Sequence, residues 1–383
     1  MFYEQQPLEQ QNNYKKMLTI IGNLTNLFSE SNCPYLPYRA HENIFCKYFE
    51  ADNLGRLDCS ADARKNGIGI GLKTWMGNDD QKVAEFGKLR ETFASLSGIE
   101  LAKKISEYRN ERIRVTMAMH GIDKMIYHII KRIPGTMQVC EYAFTTIDID
   151  NIKLITNRGN VNNTYFTDGK HTYHFSTSKN TLYMLFNNMD VLDSFEVEIM
   201  DDPYDFLMSE FYKESIANVI ESSVSKEQKP QICLRLYSTK KDGTKFVAEK
   251  SGLNQWNAGG RKRNPNEVYI PYPSQDRKLT KGFFPPRDIH FTLHFPDKSI
   301  IEAKICQDDG KAIMTNPNKI LGEWLLRKVF DIPECTVLTY DMLEKFGVDC
   351  VIFTKNDNLD YSIEFGEIGT YEDYIDKTNQ EED

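Results

Sequence analysis

The chain has 383 residues, 40% of them hydrophobic, which is enough for two or three domains with cores of their own and excludes a single small module. Its eight cysteines (33, 46, 59, 140, 233, 306, 335 and 350) form no C-x-x-C pair, which excludes a zinc ribbon or a disulfide scaffold and fits a reducing cytoplasm. No apolar run approaches twenty residues, and MFYEQQPLEQQNN lacks the basic and apolar regions of a signal peptide, so the chain reads as soluble, cytoplasmic and without a membrane partner. The net charge of -9 argues against nucleic acid, but its distribution does not: residues 231–330 hold eighteen Lys and Arg against ten Asp and Glu, whereas the last fifteen hold six acids and one lysine.

In chain order, residues 10–30 predict an amphipathic helix with Leu18, Ile21, Leu24 and Phe28 at spacings of three and four. A second helix around His41–Glu50 carries Glu42, either an auxiliary acid for the stretch that follows or a surface glutamate.

That stretch, Asp58 to Glu85, reads DCSADARKNGIGIGLKTWMGNDDQKVAE. Asp62 precedes a glycine-rich turn and a short apolar strand, IGIGLKTW, with Lys73 near its end. Phosphodiester hydrolysis can use carboxylates to hold Mg²⁺ and a lysine to position the attacking water. The arrangement is similar to the PD-(D/E)xK nucleases, which imply a second acid two residues before the lysine; here that position is Gly71. In some members of that superfamily the second acid sits on the helix after the lysine strand. QKVAEF offers Glu85 there, so Asp62 and Glu85 are the expected metal ligands and Asp62, Lys73 and Glu85 the expected catalytic residues. The same pattern also fits a turn and a tightened hairpin with a solvated lysine.

Residues 100–132 predict a mostly helical region broken at Gly121 and stopped by Pro134-Gly135; its Arg109, Arg112, Arg114, Lys131 and Arg132 either meet DNA phosphates or form a solvated face. MQVCEYAFTTIDID, NIKLI, KHTYHFSTS and SFEVEI alternate as strands that would extend the first sheet. His171 and His174 fall on opposite sides of a strand and are no metal pair. The polar run ESSVSKEQKP, 221–230, has the composition of a linker between a domain at 1–220 and one at 231–368, with an acidic tail at 369–383.

In the second domain, KFVAEKSGLNQWNAGGRKRNPNEVYIPYP joins two strands through a long loop mixing amide, aromatic and basic side chains, and ICQDDGKAIMTNPN is a second polar loop. Such loops suit base and phosphate contact. KILGEWLLRKVF predicts a short helix, TVLTYDMLEKFGVDCVIFTK a helix and a strand, and LDYSIEF a strand closing the sheet.

The runs SGLNQWNAGGRKRNPNEVYIPYP, FFPP, CQDDGKAIMTNPNKILGEWLLRKV and LDYSIEF resemble the C-terminal DNA-recognition domain of BfiI-like and NgoFVII-like restriction endonucleases, a pseudobarrel like the plant B-three transcription-factor domain. The resemblance implies sequence-specific binding of double-stranded DNA and places Asn254, Gln255, Trp256, Arg261, Arg263, Lys311, Thr315 and Asn316 in its two recognition arms. The phospholipase D-type relatives carry an H-x-K motif, and none of the seven histidines here has a lysine two residues later, so a metal-free covalent mechanism is not expected. The expectation is therefore an α+β protein of two domains: an N-terminal α/β restriction-endonuclease-like core and a C-terminal, mostly β, DNA-binding pseudobarrel. Together they imply a type II restriction endonuclease cutting with Mg²⁺, a cognate DNA methyltransferase as genetic partner, and room for a homodimer. The alternative is a DNA-binding regulator whose N-terminal domain is not catalytic.

Overall fold

The computed structural model describes residues 1–55, 59–77, 80–160, 162–187, 189–211 and 229–382, with the side chains of 156–160, 211 and 379–382 excepted. Asp58 and most of the 221–230 linker lie outside the described residues. Among those described, no helix is long and apolar enough to cross a membrane.

The N-terminal region is built on a six-stranded sheet covered on one face by α1 (Leu8–Asn23) and α2 (Tyr38–Tyr48). In α1, Tyr14, Leu18 and Gly22 repeat every four residues and face the core; the helix stops at Asn23, one 3₁₀ turn follows, and Phe28 is exposed, so the helix expected over 10–30 is shorter than its pattern. Strands β1 (Asp52–Asn53), β2 (Ala63–Lys65) and β3 (Ile68–Trp75) form an antiparallel meander. The chain then runs through β4 (Gln81–Glu85), a short turn of helix α3 (Arg90–Phe93) and the long α4 (Gly98–His120) to β5 (Lys124–Ile133), which lies parallel to β3. β6 (Thr136–Ala143) pairs with β5.

Helix α4 ends where Gly121 takes φ 59°, a conformation that suits glycine, and its N–H caps the Met117 carbonyl. KMIYHIIKRI, expected to continue that helix, is instead β5. Its run of isoleucines is buried on both faces, Tyr127 and Ile129 toward α4 and Ile130 toward α1 and α2, and a central strand flanked by β3 and β6 can satisfy that pattern as a surface helix cannot.

β7 (Lys153–Asn160), β8 (Asn163–Thr167), β9 (Thr172–Ser176) and β10 (Thr181–Met184) do not extend the first sheet as expected; with β4 they make a second one, in the order β4-β10-β9-β8-β7. Only β6 and β11 (Asp190–Glu196) join the first. Phe166, Phe175 and Leu182 of the second sheet share a core with α4 and with Tyr127. Helix α5 (Pro203–Phe211) ends this half.

The C-terminal region is a seven-stranded, curled half-barrel in the order β12-β19-β20-β16-β17-β18-β15. Its strands are β12 (Gln231–Arg235), β15 (Ile270–Pro271), β16 (His290–His294), β17 (Ile300–Cys306), β18 (Ala312–Asn316), β19 (Val348–Asp357) and β20 (Asp360–Glu367), while β13 (Ser238–Thr239) and β14 (Lys245–Phe246) form a separate hairpin. The curl returns β15 against β12. LDYSIEF, expected to close the sheet, is the interior strand β20, antiparallel to β19 and parallel to β16. Helices α6 (Ser274–Leu279), α7 (Ile320–Gly322, continuing as a π-helix over Glu323–Val329), α8 (Tyr340–Phe346) and α9 (Thr370–Glu382) surround it. The acidic tail is thus a helix, held by Tyr371, Tyr374 and Ile375 packed beside Cys233 and Cys350.

The two halves meet along α4, whose Val115 and Met119 belong to the C-terminal hydrophobic core. Arg114 donates from Nη1 to the Val329 carbonyl (3.1 Å) and from Nη2 to that of Phe330 (3.2 Å), and Lys298 pairs with Asp52 at 2.6 Å. One helix therefore belongs to both cores, which ties the C-terminal domain to the sheet carrying Asp62 and Lys73.

Candidate active site and nucleic-acid interface

Asp62 sits at the entry to β2, pinned three times. Its N–H donates to the Ile70 carbonyl and its own carbonyl accepts from Leu54 N, both at 2.9 Å. Its Oδ2 accepts from Leu72 N at 2.7 Å. The carboxylate is therefore fixed beside the residue that precedes Lys73, half-buried like Lys73 itself. Among the described residues, Asp62 Oδ1 takes no hydrogen bond, which leaves an oxygen for a ligand.

The third member comes from α2. Glu42 is only 6% exposed, and its Oε2 lies 2.7 Å from Arg39 Nη1, which also donates to the Gly55 carbonyl. Burial pushes the Glu42 carboxyl up from its ordinary value, Arg39 opposes that, the Asp62 charge adds to the rise and the Lys73 charge counters it. Glu42, Asp62 and Lys73 thus lie within electrostatic reach of one another. His41, beside Glu42, is fully buried against the Tyr14 hydroxyl (2.8 Å), and desolvation, with His128 and Lys73 adding to it, holds its ring neutral. Glu42 was legible only as a helical acid shortly before the Asp62 stretch; its burial beside Asp62 depends on how α2 packs on the sheet.

Glu85 is placed elsewhere. QKVAEF is strand β4, an edge of the second sheet, because its residues pair with Thr181–Met184 of β10. The Glu85 side chain is 59% exposed and pairs with Lys82 at 3.1 Å. The structure does not bring it to Asp62 and Lys73.

The missing acid at position 71 has a packing cause. A Cβ on Gly71 would lie 2.8 Å from Tyr127 Cδ1 and 2.9 Å from Phe144 Cε1, two rings stacked 4.1 Å apart and nearly parallel. A side chain there would have to displace this stack.

No three His, Cys, Asp or Glu side chains cluster in metal-binding geometry among the described residues. Glu42 and Asp62 offer oxygen ligands only, and Mg²⁺ takes one or two carboxylates when a substrate phosphate and waters complete its shell. The donor set fits on that condition.

The arginines of the 100–132 region mostly hold the protein together. Arg109 is 2% exposed, Arg112 donates to the Glu85 carbonyl, Arg114 binds the carbonyls at the domain junction, and Arg132 donates to the Pro34 carbonyl. His174 Nδ1 lies 2.6 Å from Asp80 Oδ2, its ring stacked between Tyr165 and Tyr183.

In the C-terminal domain the two polar loops converge. Gln255, Arg261 and Arg263 from the first and Gln307, Asn316 and Asn318 from the second line one cleft of about 630 Å³. Glu267, 3% exposed, accepts from Arg261 Nη2 at 2.6 Å and lies 3.3 Å from Arg263 Nε, while Arg263 Nη1 donates to the Ala258 and Gly259 carbonyls. Gln255 is placed to accept from Arg263 Nε at 3.2 Å. A buried carboxylate thereby orients two guanidinium groups at the cleft, which limits the entropy lost when they bind.

Two of the expected arm residues face inward, and a third, Thr315, lies in the cleft wall with its hydroxyl already bonded. Asn254 is 0% exposed, its amide donating to the Ala248 and Leu338 carbonyls and accepting from Leu338 N, so it ties the first loop to the segment before α8. Thr315 is buried and accepts from Leu321 N while donating to the Pro317 carbonyl. Trp256 packs against the hydrophobic core. Lys311 is exposed at the start of β18 and does not line the cleft. Asn316 is exposed and donates to Glu302 at 2.9 Å.

Residues 224–357 match the family model described as NgoFVII C-terminal B3-like DNA-binding domain. Over that span, about a third of the chain, the C-terminal domain is similar to a DNA-binding domain of a restriction-enzyme family. None of the curated proteins matches the chain.

Proposed function

We propose that the chain is a Mg²⁺-dependent, site-specific deoxyribonuclease of a restriction–modification system, in which the N-terminal domain cuts and the C-terminal domain selects the site. The observation that carries the reading is that Asp62, Glu42 and Lys73, from three separate elements, come within electrostatic reach of one another in a chain with a restriction-enzyme-type DNA-binding domain. Asp62 and Glu42 would hold the metal, which supplies charge neutralisation at the scissile phosphate and a more acidic bound water. Lys73 positions the attacking water and stabilises charge developing on the phosphoryl oxygens. The Leu72 N–H fixes the Asp62 carboxylate before substrate arrives. Arg261, Arg263, Gln255 and Asn316 contact bases or phosphates from the cleft. Host DNA would be protected by a cognate methyltransferase.

The test incubates purified protein with unmodified double-stranded phage DNA and Mg²⁺, and sequences the fragment ends. Discrete ends at one recurring sequence are expected, with none in EDTA and none for Lys73→Ala. A second reading, a DNA-binding regulator without catalysis, is favoured by the aromatic stack that keeps any acid from position 71. Sequence-specific binding without cleavage under any divalent cation would establish it.

A further inference from the structure

A cavity of about 410 Å³ lies at the junction of the two halves, between α4 and the second sheet on one side and the Phe346–Val348 and Glu367–Ile368 segments on the other. Four cations line it, Lys82, Lys88, Arg109 and Arg112, against two acids, Glu85 and Glu367. Lys82 is paired with Glu85, and Lys88 with Asp373 of α9 at 2.8 Å.

Arg109 contrasts with the two arginines of the C-terminal cleft. Arg261 and Arg263 share the buried Glu267. Arg109 is equally removed from water, at 2% exposed, but its partners are neutral: Nη1 donates to the Thr145 carbonyl (2.8 Å), Nη2 reaches the Tyr127 hydroxyl (3.4 Å), and the guanidinium lies 5.4 Å from the centre of the Phe144 ring. Its Nε has no acceptor, and it forms no ion pair among the described residues. A buried charge without a contacting counter-ion is costly, the nearest electrostatic balance coming from the buried Asp168, which acts on the same His171 and Tyr173 as Arg109, and a cavity beside it is where closer compensation can enter.

We propose that this cavity binds a small phosphate-bearing anion, inorganic phosphate or a mononucleotide, with Arg109 as the buried anchor and Arg112 as its neighbour. The planar guanidinium fork suits a phosphate better than a point charge does. The volume falls in the range of small-molecule sites, roughly 300–1,000 Å³, and is too small to hold a duplex. Both halves contribute walls, so an occupant bound only by the docked protein stabilises the docked arrangement. The inference is independent of the proposed nuclease chemistry.

The experiment measures Tm of the full chain, without DNA or divalent metal, against inorganic phosphate, AMP and ADP, with sulfate-free chloride buffer of equal ionic strength as reference. A saturable rise with at least one of them is expected, retained in Asp62→Ala, which separates this site from the nuclease reading. Arg109→Lys and Arg112→Gln should each weaken the half-saturating concentration by about 10-fold or more, the scale of a lost charged hydrogen bond. If Arg109→Lys does not fold, Arg112→Gln decides alone. No rise with any of the three anions, or an unchanged half-saturating concentration in the folded variants, overturns the proposal.

Discussion

The two candidate sites are assembled in opposite ways. At the C-terminal cleft, Arg261, Arg263 and their orienting Glu267 sit within seven residues of one another, and the loop carries its own scaffold in Asn254. At the N-terminal site, Glu42, Asp62 and Lys73 come from α2, the entry to β2 and the end of β3, and no two are neighbours in sequence. A site written in one loop tolerates changes elsewhere in the fold, whereas a site assembled from three elements depends on how a helix packs on a sheet. The first kind of site is sensitive to local chemistry and the second to global packing.

The strongest way to break it is Asp62→Ala. Cleavage should fall by on the order of 10²–10³ or more, as for loss of a preorganised charge-stabilising group, while duplex binding by gel shift stays as in wild type. Retained cleavage would remove the nuclease reading of this site.

The pair Glu42→Gln and Glu85→Gln sharpens it next. Glu42→Gln should lower cleavage by about 10- to 100-fold and raise the Mg²⁺ concentration required, whereas Glu85→Gln should cut like wild type, because its carboxylate sits 59% exposed on another sheet. The reverse result would return Glu85 to the metal. The raised Glu42 carboxyl also sets a sign: ionised Glu42 is needed to hold a cation, so cleavage should decline on the acid side at a higher pH than an ordinary glutamate would give.

Glu364 gives a stability contrast at the domain junction. It lines the small cavity between the halves together with Asp52, His120 and Lys298, and desolvation pushes its carboxyl up to about 7. A folded-state value above the unfolded one means stability present at low pH and lost as pH rises from the ordinary glutamate range through about 7. Glu364→Gln should therefore gain up to about 3 kcal/mol over wild type at pH 8 and little at pH 4, read from urea unfolding at both.

At the C-terminal cleft, Arg261→Ala should cost about 1–3 kcal/mol of binding to the cognate duplex if the guanidinium reads a base bidentately, with specificity relaxed at one position. A uniform loss across all sequences, with a shallower salt dependence, would assign it to a phosphate instead. Asn254→Ala should leave sequence preference unchanged and lower stability by about 1–3 kcal/mol, because it strands the Leu338 N–H and carbonyl in the core. A changed preference with unchanged Tm would put Asn254 back among the readers.

The sequence by itself determined the features that are local. Helix α4 and its stop at Gly121 follow from apolar spacing and a glycine free to take a left-handed conformation. The arms of the C-terminal domain, the basic bias of residues 231–330 and the Asp62–Lys73 spacing are all contiguous, so they could be read directly. The tertiary structure alone decided the rest. QKVAEF and KMIYHIIKRI have residues compatible with helix, and became strands because β10 in one case and β3 with β6 in the other offered backbone partners from distant parts of the chain. The inward turn of Asn254 and the burial of Glu42 beside Asp62 have the same origin. A polar side chain's role is set by whether its nearest hydrogen-bonding partner is solvent, DNA or its own core, and those partners are brought near only when elements far apart in sequence pack together.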